Sequence, residues 1–96
     1  MDKDRLRNFI DGRWQYAAAG SYLDVVNPAT AVTISQVPLT PAAEVAAAVE
    51  AAAAAFPGWR RTPAGERIQY LFKLKGLLEE HLDELARLMT DECGKT

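Results

Sequence analysis

Ninety-six residues allow one small domain, and at that size folding hides only about 60–65% of the unfolded surface, so any core is thin. Apolar residues make up 49% and charged residues 25% of the chain, too apolar a mixture for disorder, and no run approaches the ~18 apolar residues of a membrane span. Eleven lysines and arginines against 13 acids leave a net charge of -2, which argues against the basic face of a nucleic-acid binder.

The start, Met1 to Arg7, has no apolar core segment and carries two early acids. It reads as neither a secretory signal nor a transit peptide. The single cysteine, Cys93, has no internal disulfide partner, so a reducing cytoplasm is the expected compartment.

The first predicted element is a hairpin. Asp11-Gly12 sits between apolar patches, and a type I′ turn needs positive φ at both central residues. Strands are expected near Phe9–Ile10 and over Arg13–Tyr16, followed by a small-residue loop from Ala17 to Ser21. Tyr22 to Val26 is the next expected strand, Asn27-Pro28-Ala29-Thr30 a turn, and Val32 to Val37 a strand with apolar and polar residues alternating. Together these two strands make a second hairpin, which Pro38 ends.

Thr40-Pro41 predicts a helix start, with threonine as the cap and proline in the first turn. Val45, Val49, Ala52 and Phe56 then share one helical face, and Pro57-Gly58 is expected to stop the helix. Thr62-Pro63 repeats the start signal. Ile68, Leu71, Phe72, Leu74, Leu77 and Leu78 form a wide apolar stripe, and His81 marks a break. Leu82, Leu85, Ala86 and Met89 make a third stripe, with Asp83 and Arg87 spaced to pair at i, i+4. Two short hairpins cannot cover three such helices. Each uncovered leucine forfeits roughly 1.5–3 kcal/mol, so the stripes ask for a partner surface and the chain is expected to continue past Thr96.

Candidate sites are sparse. Cys93-Gly94-Lys95-Thr96 looks like the tail of a phosphate-binding loop, but that loop needs a glycine where Met89 stands and a preceding strand. The turn reads instead as a glycine helix cap, with Lys95 near the negative end of the helix dipole. Cys93 as a nucleophile needs a nearby base. The only histidine, His81, lies twelve residues back on helical sequence, roughly three turns away. Glu79, Glu80, Asp83 and Glu84 read as a solvated helix face, Arg60-Arg61 as a charged rim, and Trp14 and Trp59 as packing anchors. No catalytic, cofactor-binding or metal-binding residue is assigned within the chain.

The pieces in order are Asn8-Phe9-Ile10-Asp11-Gly12-Arg13-Trp14, Val26-Asn27-Pro28-Ala29-Thr30, Val37-Pro38-Leu39, Ala48 to Phe56 with Trp59-Arg60, Glu66-Arg67, Leu85-Ala86-Arg87-Leu88 and Gly94-Lys95-Thr96. Their order and spacing resemble the amino terminus of NAD(P)-dependent aldehyde dehydrogenases, over about Leu6 to Thr96. The Asn-Pro-Ala-Thr turn, Val37-Pro38-Leu39 and Arg67 to Lys73 are most similar to the CoA-acylating methylmalonate-semialdehyde dehydrogenases. Cys93 departs from the pattern, since relatives more often carry a polar residue there.

The resemblance implies an α/β fragment: amino-terminal β-hairpins followed by three α-helices, forming the incomplete first part of a Rossmann-like cofactor domain over residues 1–96. It implies a parent oxidoreductase that uses NAD to convert malonate or methylmalonate semialdehyde to an acyl-CoA, with coenzyme A as co-substrate. The nucleophilic cysteine, the glycine-rich cofactor turn and the oxyanion-hole asparagine of that family would lie beyond this segment, so the fragment alone would be inactive. Its partners would be the rest of the parent polypeptide and further copies in a homodimer or homotetramer, with no nucleic acid and no membrane. Some relatives hold a structural alkali cation on backbone carbonyls before the Asn-Pro turn, which would implicate Val25 and Val26. The competing reading is a free-standing helical protein-interaction module, whose stripes a partner covers.

Overall fold

The computed structural model describes residues 4–96; Met1 to Lys3, part of the start read above against a signal or transit peptide, lie outside the described residues. Four strands come first, β1 (Asn8–Ile10), β2 (Arg13–Gln15), β3 (Tyr22–Val26) and β4 (Thr33–Pro38), and three helices follow, α1 (Ala42–Arg61), α2 (Ala64–Glu80) and α3 (Leu82–Cys93). The strands form two separate antiparallel ribbons, β1 with β2 and β3 with β4.

Turn chemistry explains both ribbons. Asp11 and Gly12 have φ of 52° and 73°, the left-handed pair that matches the twist of a two-residue hairpin. The register sets Phe9 opposite Trp14, and their rings meet at 5.0 Å between centroids. In the second ribbon, the Asn27 side-chain oxygen accepts hydrogen bonds from the backbone N–H of Ala29 at 2.9 Å and Thr30 at 3.4 Å. This is an Asx turn, the reason asparagine recurs at such corners. Ala31 completes the corner at φ 60°, an unusual place for a non-glycine residue. The ladder then skips Ile34, since Val25 faces Ser35 and Val26 faces Thr33. Pro38 is the last paired residue of β4, opposite Tyr22.

A further connection had no periodic signal in the sequence. The amino-terminal segment runs alongside β4, with Leu6 N–H donating to the Gln36 carbonyl and Gln36 N–H to the Asp4 carbonyl, both at 2.9 Å. Its bridge, Arg5 with Gln36, is parallel. Two side-chain bonds tie the strand region to the start of α1. The Asn8 amide donates to the Thr40 hydroxyl at 3.0 Å, and Ala18 N–H donates to Glu44 Oε1 at 2.9 Å.

The helix boundaries correct three expectations. Thr40 and Thr62 do not cap α1 and α2. The cap positions are Pro41 and Pro63, whose ψ of 149° and 146° is extended and which make no side-chain bond. Their carbonyls accept the first helical N–H groups, from Glu44 and Val45 and from Glu66 and Arg67. The threonine hydroxyls are used elsewhere, Thr40 as acceptor for Asn8 and Thr62 as donor to the Gly58 carbonyl. The third correction is larger. Pro57-Gly58 does not stop α1, which runs through both residues to Arg61. Pro57 removes one donor and crowds the carbonyl one turn back, yet it sits in the last stretch of the helix. The helix ends at the Thr62-Pro63 step, where Thr62 leaves the helical region at ψ 126°, in line with the bias of pre-proline residues toward extended backbone, a bias that Phe56 before Pro57 overrides within α1. His81 divides α2 from α3 as expected, at φ −104° and ψ 19°.

None of the described residues is buried. Val49, Leu71 and Leu82, one from each helix, are 63%, 60% and 64% exposed. The accessible surface is 7936 Å², whereas a compact protein of 10.5 kDa exposes about 5,400 Å². The radius of gyration is 17.1 Å, against about 13 Å for a compact domain of this length. The excess surface is as large as an obligate interface.

Candidate functional site

The residues with chemical potential stand apart from one another. Cys93 is exposed at the last turn of α3. His81 lies at the opposite end of that helix, where its Nδ1 is 3.1 Å from Glu84 Oε2. Twelve residues of helix separate the two by about 18 Å, so His81 is not placed to take a proton from the thiol.

Gly94 has φ of 70° and ends α3 as a left-handed cap, its N–H donating to the Thr90 carbonyl at 2.9 Å. The Thr90 hydroxyl lies 2.6 Å from the Lys95 carbonyl and 3.2 Å from that of Ala86. The Gly94-Lys95-Thr96 turn therefore closes a helix C-terminus. A phosphate needs the opposite arrangement, backbone N–H groups converging at a helix N-terminus. A Cβ on Gly94 would meet the Pro28 ring at 3.4 Å, which places this turn beside the Asn27–Thr30 corner.

The acidic residues around His81 do not converge. No group of three or more His, Cys, Asp or Glu side chains among the described residues is arranged to hold a metal ion. Asp83 and Arg87, spaced to pair, form no ion pair among the described residues; the pairs present are Lys75 with Glu79 and His81 with Glu84. Asp is the shorter acid, and on this helix the Glu side chain is the one that reaches its neighbour. Arg60 and Arg61 occupy the last turn of α1, where positive charge complements the helix dipole. Trp59 packs edge-on to Tyr70 at 5.7 Å between centroids, joining α1 to α2. Trp14 pairs with Phe9 in the first hairpin. Both indoles thus serve packing between elements.

The clefts are shallow and formed by the elements' uncovered faces. One of about 520 Å³ is bordered by Arg5, Arg7, Trp14 and Tyr16. Another of about 350 Å³ lies between the Asp11-Gly12 hairpin and the alanine face of α1, at Ala48, Ala51, Ala52 and Ala55. Neither brings a nucleophile and a base together. No helix among the described residues is long and apolar enough to cross a membrane.

The aldehyde dehydrogenase family matches this chain over residues 14–96. Malonate-semialdehyde dehydrogenase 3 of Geobacillus kaustophilus is 48% identical over 90 residues, which cover 94% of this chain and 19% of that protein. The acylating, mitochondrial methylmalonate-semialdehyde dehydrogenase of Arabidopsis thaliana is 44% identical over 92 residues, 96% of this chain and 15% of that one. A crystal structure assigned as a methylmalonate-semialdehyde dehydrogenase of Sinorhizobium meliloti 1021, complexed with NAD, superposes with a TM-score of 0.87 at 35% identity, covering 95% of this chain and 18% of that chain. The chain thus spans about a fifth of the length of the curated relatives it matches. The two hairpins and three helices are the fold that the resemblance implied. With the family match running from Trp14 to Thr96, this chain belongs to the aldehyde dehydrogenase family.

Proposed function

We propose that these 96 residues act as the amino-terminal part of a longer NAD-dependent aldehyde dehydrogenase that oxidises malonate or methylmalonate semialdehyde. The observation that carries the reading is the pairing of 44–48% identity to semialdehyde dehydrogenases with a fold that leaves its apolar faces open. The segment's role is structural. Its stripes at Val49, Phe72 and Leu85 pack against later sequence of the parent, and burying them there supplies the stability that the segment lacks alone.

The Gly94-Lys95-Thr96 turn does not suit a pyrophosphate. The one Gly-Lys-Thr turn follows a helix and its glycine caps that helix's C-terminus, so it presents carbonyls where a pyrophosphate needs N–H donors. In this proposal NAD is held by later sequence of the parent, and no step of the chemistry is assigned to residues here. Coenzyme A as acyl acceptor follows from the kinship with the acylating relative. An oligomeric parent and a reducing cytoplasmic setting, to which the lone exposed thiol of Cys93 is suited, complete the proposal.

The test is the whole protein. The gene is sequenced through and beyond codon 96, the full product is purified, and NADH formation from malonate semialdehyde is followed with and without coenzyme A. CoA-dependent NADH production is the expected result, with none from the 96-residue chain alone. NADH formed equally well without CoA would move the parent to the non-acylating aldehyde dehydrogenases. A parent with neither a reactive cysteine nor NADH production would overturn the reading in favour of a helical interaction module.

A further inference from the structure

We draw no further inference here: the strongest candidate, the open cleft beside the first hairpin where the Arg7 guanidinium lies 5.8 Å from the Trp14 ring and 5.7 Å from the Tyr16 ring, is an exposed surface patch bordered by Asp4, and nothing in the structure shows what covers it.

Discussion

The strand region, residues 4–39, and the helical region, residues 42–93, close themselves to different degrees. Within each ribbon the paired strands lie close in sequence, and hydrogen bonds satisfy the chain across its own turns. Asn27 binds its corner, Gln36 donates its side-chain amide to Asp24 at 2.8 Å, and the segment from Asp4 to Leu6 adds to the edge of β4. The helices satisfy their backbones internally, so nothing local obliges them to find partners for their side chains. What joins them is sparse: Trp59 against Tyr70 and the short His81 junction. Hydrogen bonding can be completed within a segment, whereas apolar burial needs a second surface. Short ribbons are themselves marginal in isolation, so the strand region has defined geometry but little stability of its own.

The largest expected effect tests that contrast directly. Purified 1–96 should show helical circular dichroism without a sharp thermal transition, and it should self-associate in sedimentation. Local helix propensity is high because alanine is the best helix former, while open apolar patches drive association. A monomer with one cooperative transition would mean that the helices close a core unaided, and the contrast between the two regions would collapse. Within α1 the next largest effect belongs to Pro57. Proline in a helix interior costs about 3 kcal/mol, so Pro57→Ala should strengthen the helical signal and raise the helical chemical shifts of residues 52–61. An unchanged signal would show that α1 is limited elsewhere.

The sequence made the order and kind of elements legible because each rests on local chemistry. Asp11-Gly12 specifies one hairpin, Asn27 the other corner, and the two Thr-Pro steps punctuate the helices. What it misplaced were points where two local rules compete. Pro57-Gly58 looked like a stop, but a helix already fifteen residues long absorbs one lost donor and a pre-proline Phe56, and it ends only where Thr62 turns extended before Pro63. The threonine caps failed because each hydroxyl found another partner, Asn8 in one case and the Gly58 carbonyl in the other. The parallel contact of Arg5 with Gln36 left no trace, since it joins backbone groups 31 positions apart with no side-chain pattern to announce it. At the site level, the sequence assigned no catalytic or ligand residue to this chain. The wide separation of Cys93 and His81 was legible from helical spacing alone.

The two glycines with positive φ give an intermediate test, one from each region. Gly12, at φ 73°, has open space around its missing Cβ, whereas Gly94, at φ 70°, has the Pro28 ring at 3.4 Å. Forcing an ordinary residue into this conformation costs roughly 1–2 kcal/mol. Gly12→Ala should therefore weaken the Phe9–Trp14 cross-strand contact seen by NMR about five- to thirtyfold in population terms. Gly94→Ala should fray the last turn of α3 by a similar factor, since a 3.4 Å approach adds little. Asparagine, which visits the left-handed region more readily, should recover most of the loss at both positions. Equal losses for alanine and asparagine would show that left-handed backbone strain does not set the effect.

The smallest expected effect concerns the helix ion pairs and turns on an asymmetry. Lys75 and Glu79 form an i, i+4 pair on α2, with side chains 68% and 65% exposed. Solvent screening holds such a pair to about 0.3–0.5 kcal/mol at most, and lysine before glutamate is the weaker of the two orders. The partners nevertheless differ in their second interaction. Glu79 occupies the last turn of α2, which holds no basic residue, so its charge opposes the helix dipole by an amount comparable to the pair itself. Lys75, placed toward the same end, is favoured by that dipole. Lys75→Gln should therefore lower the helical signal of 1–96 slightly in low salt, while Glu79→Gln should leave it unchanged or raise it. Both effects should fade as salt is added, because the charges are exposed. Equal losses from the two substitutions would mean that the pair outweighs the dipole at this helix end.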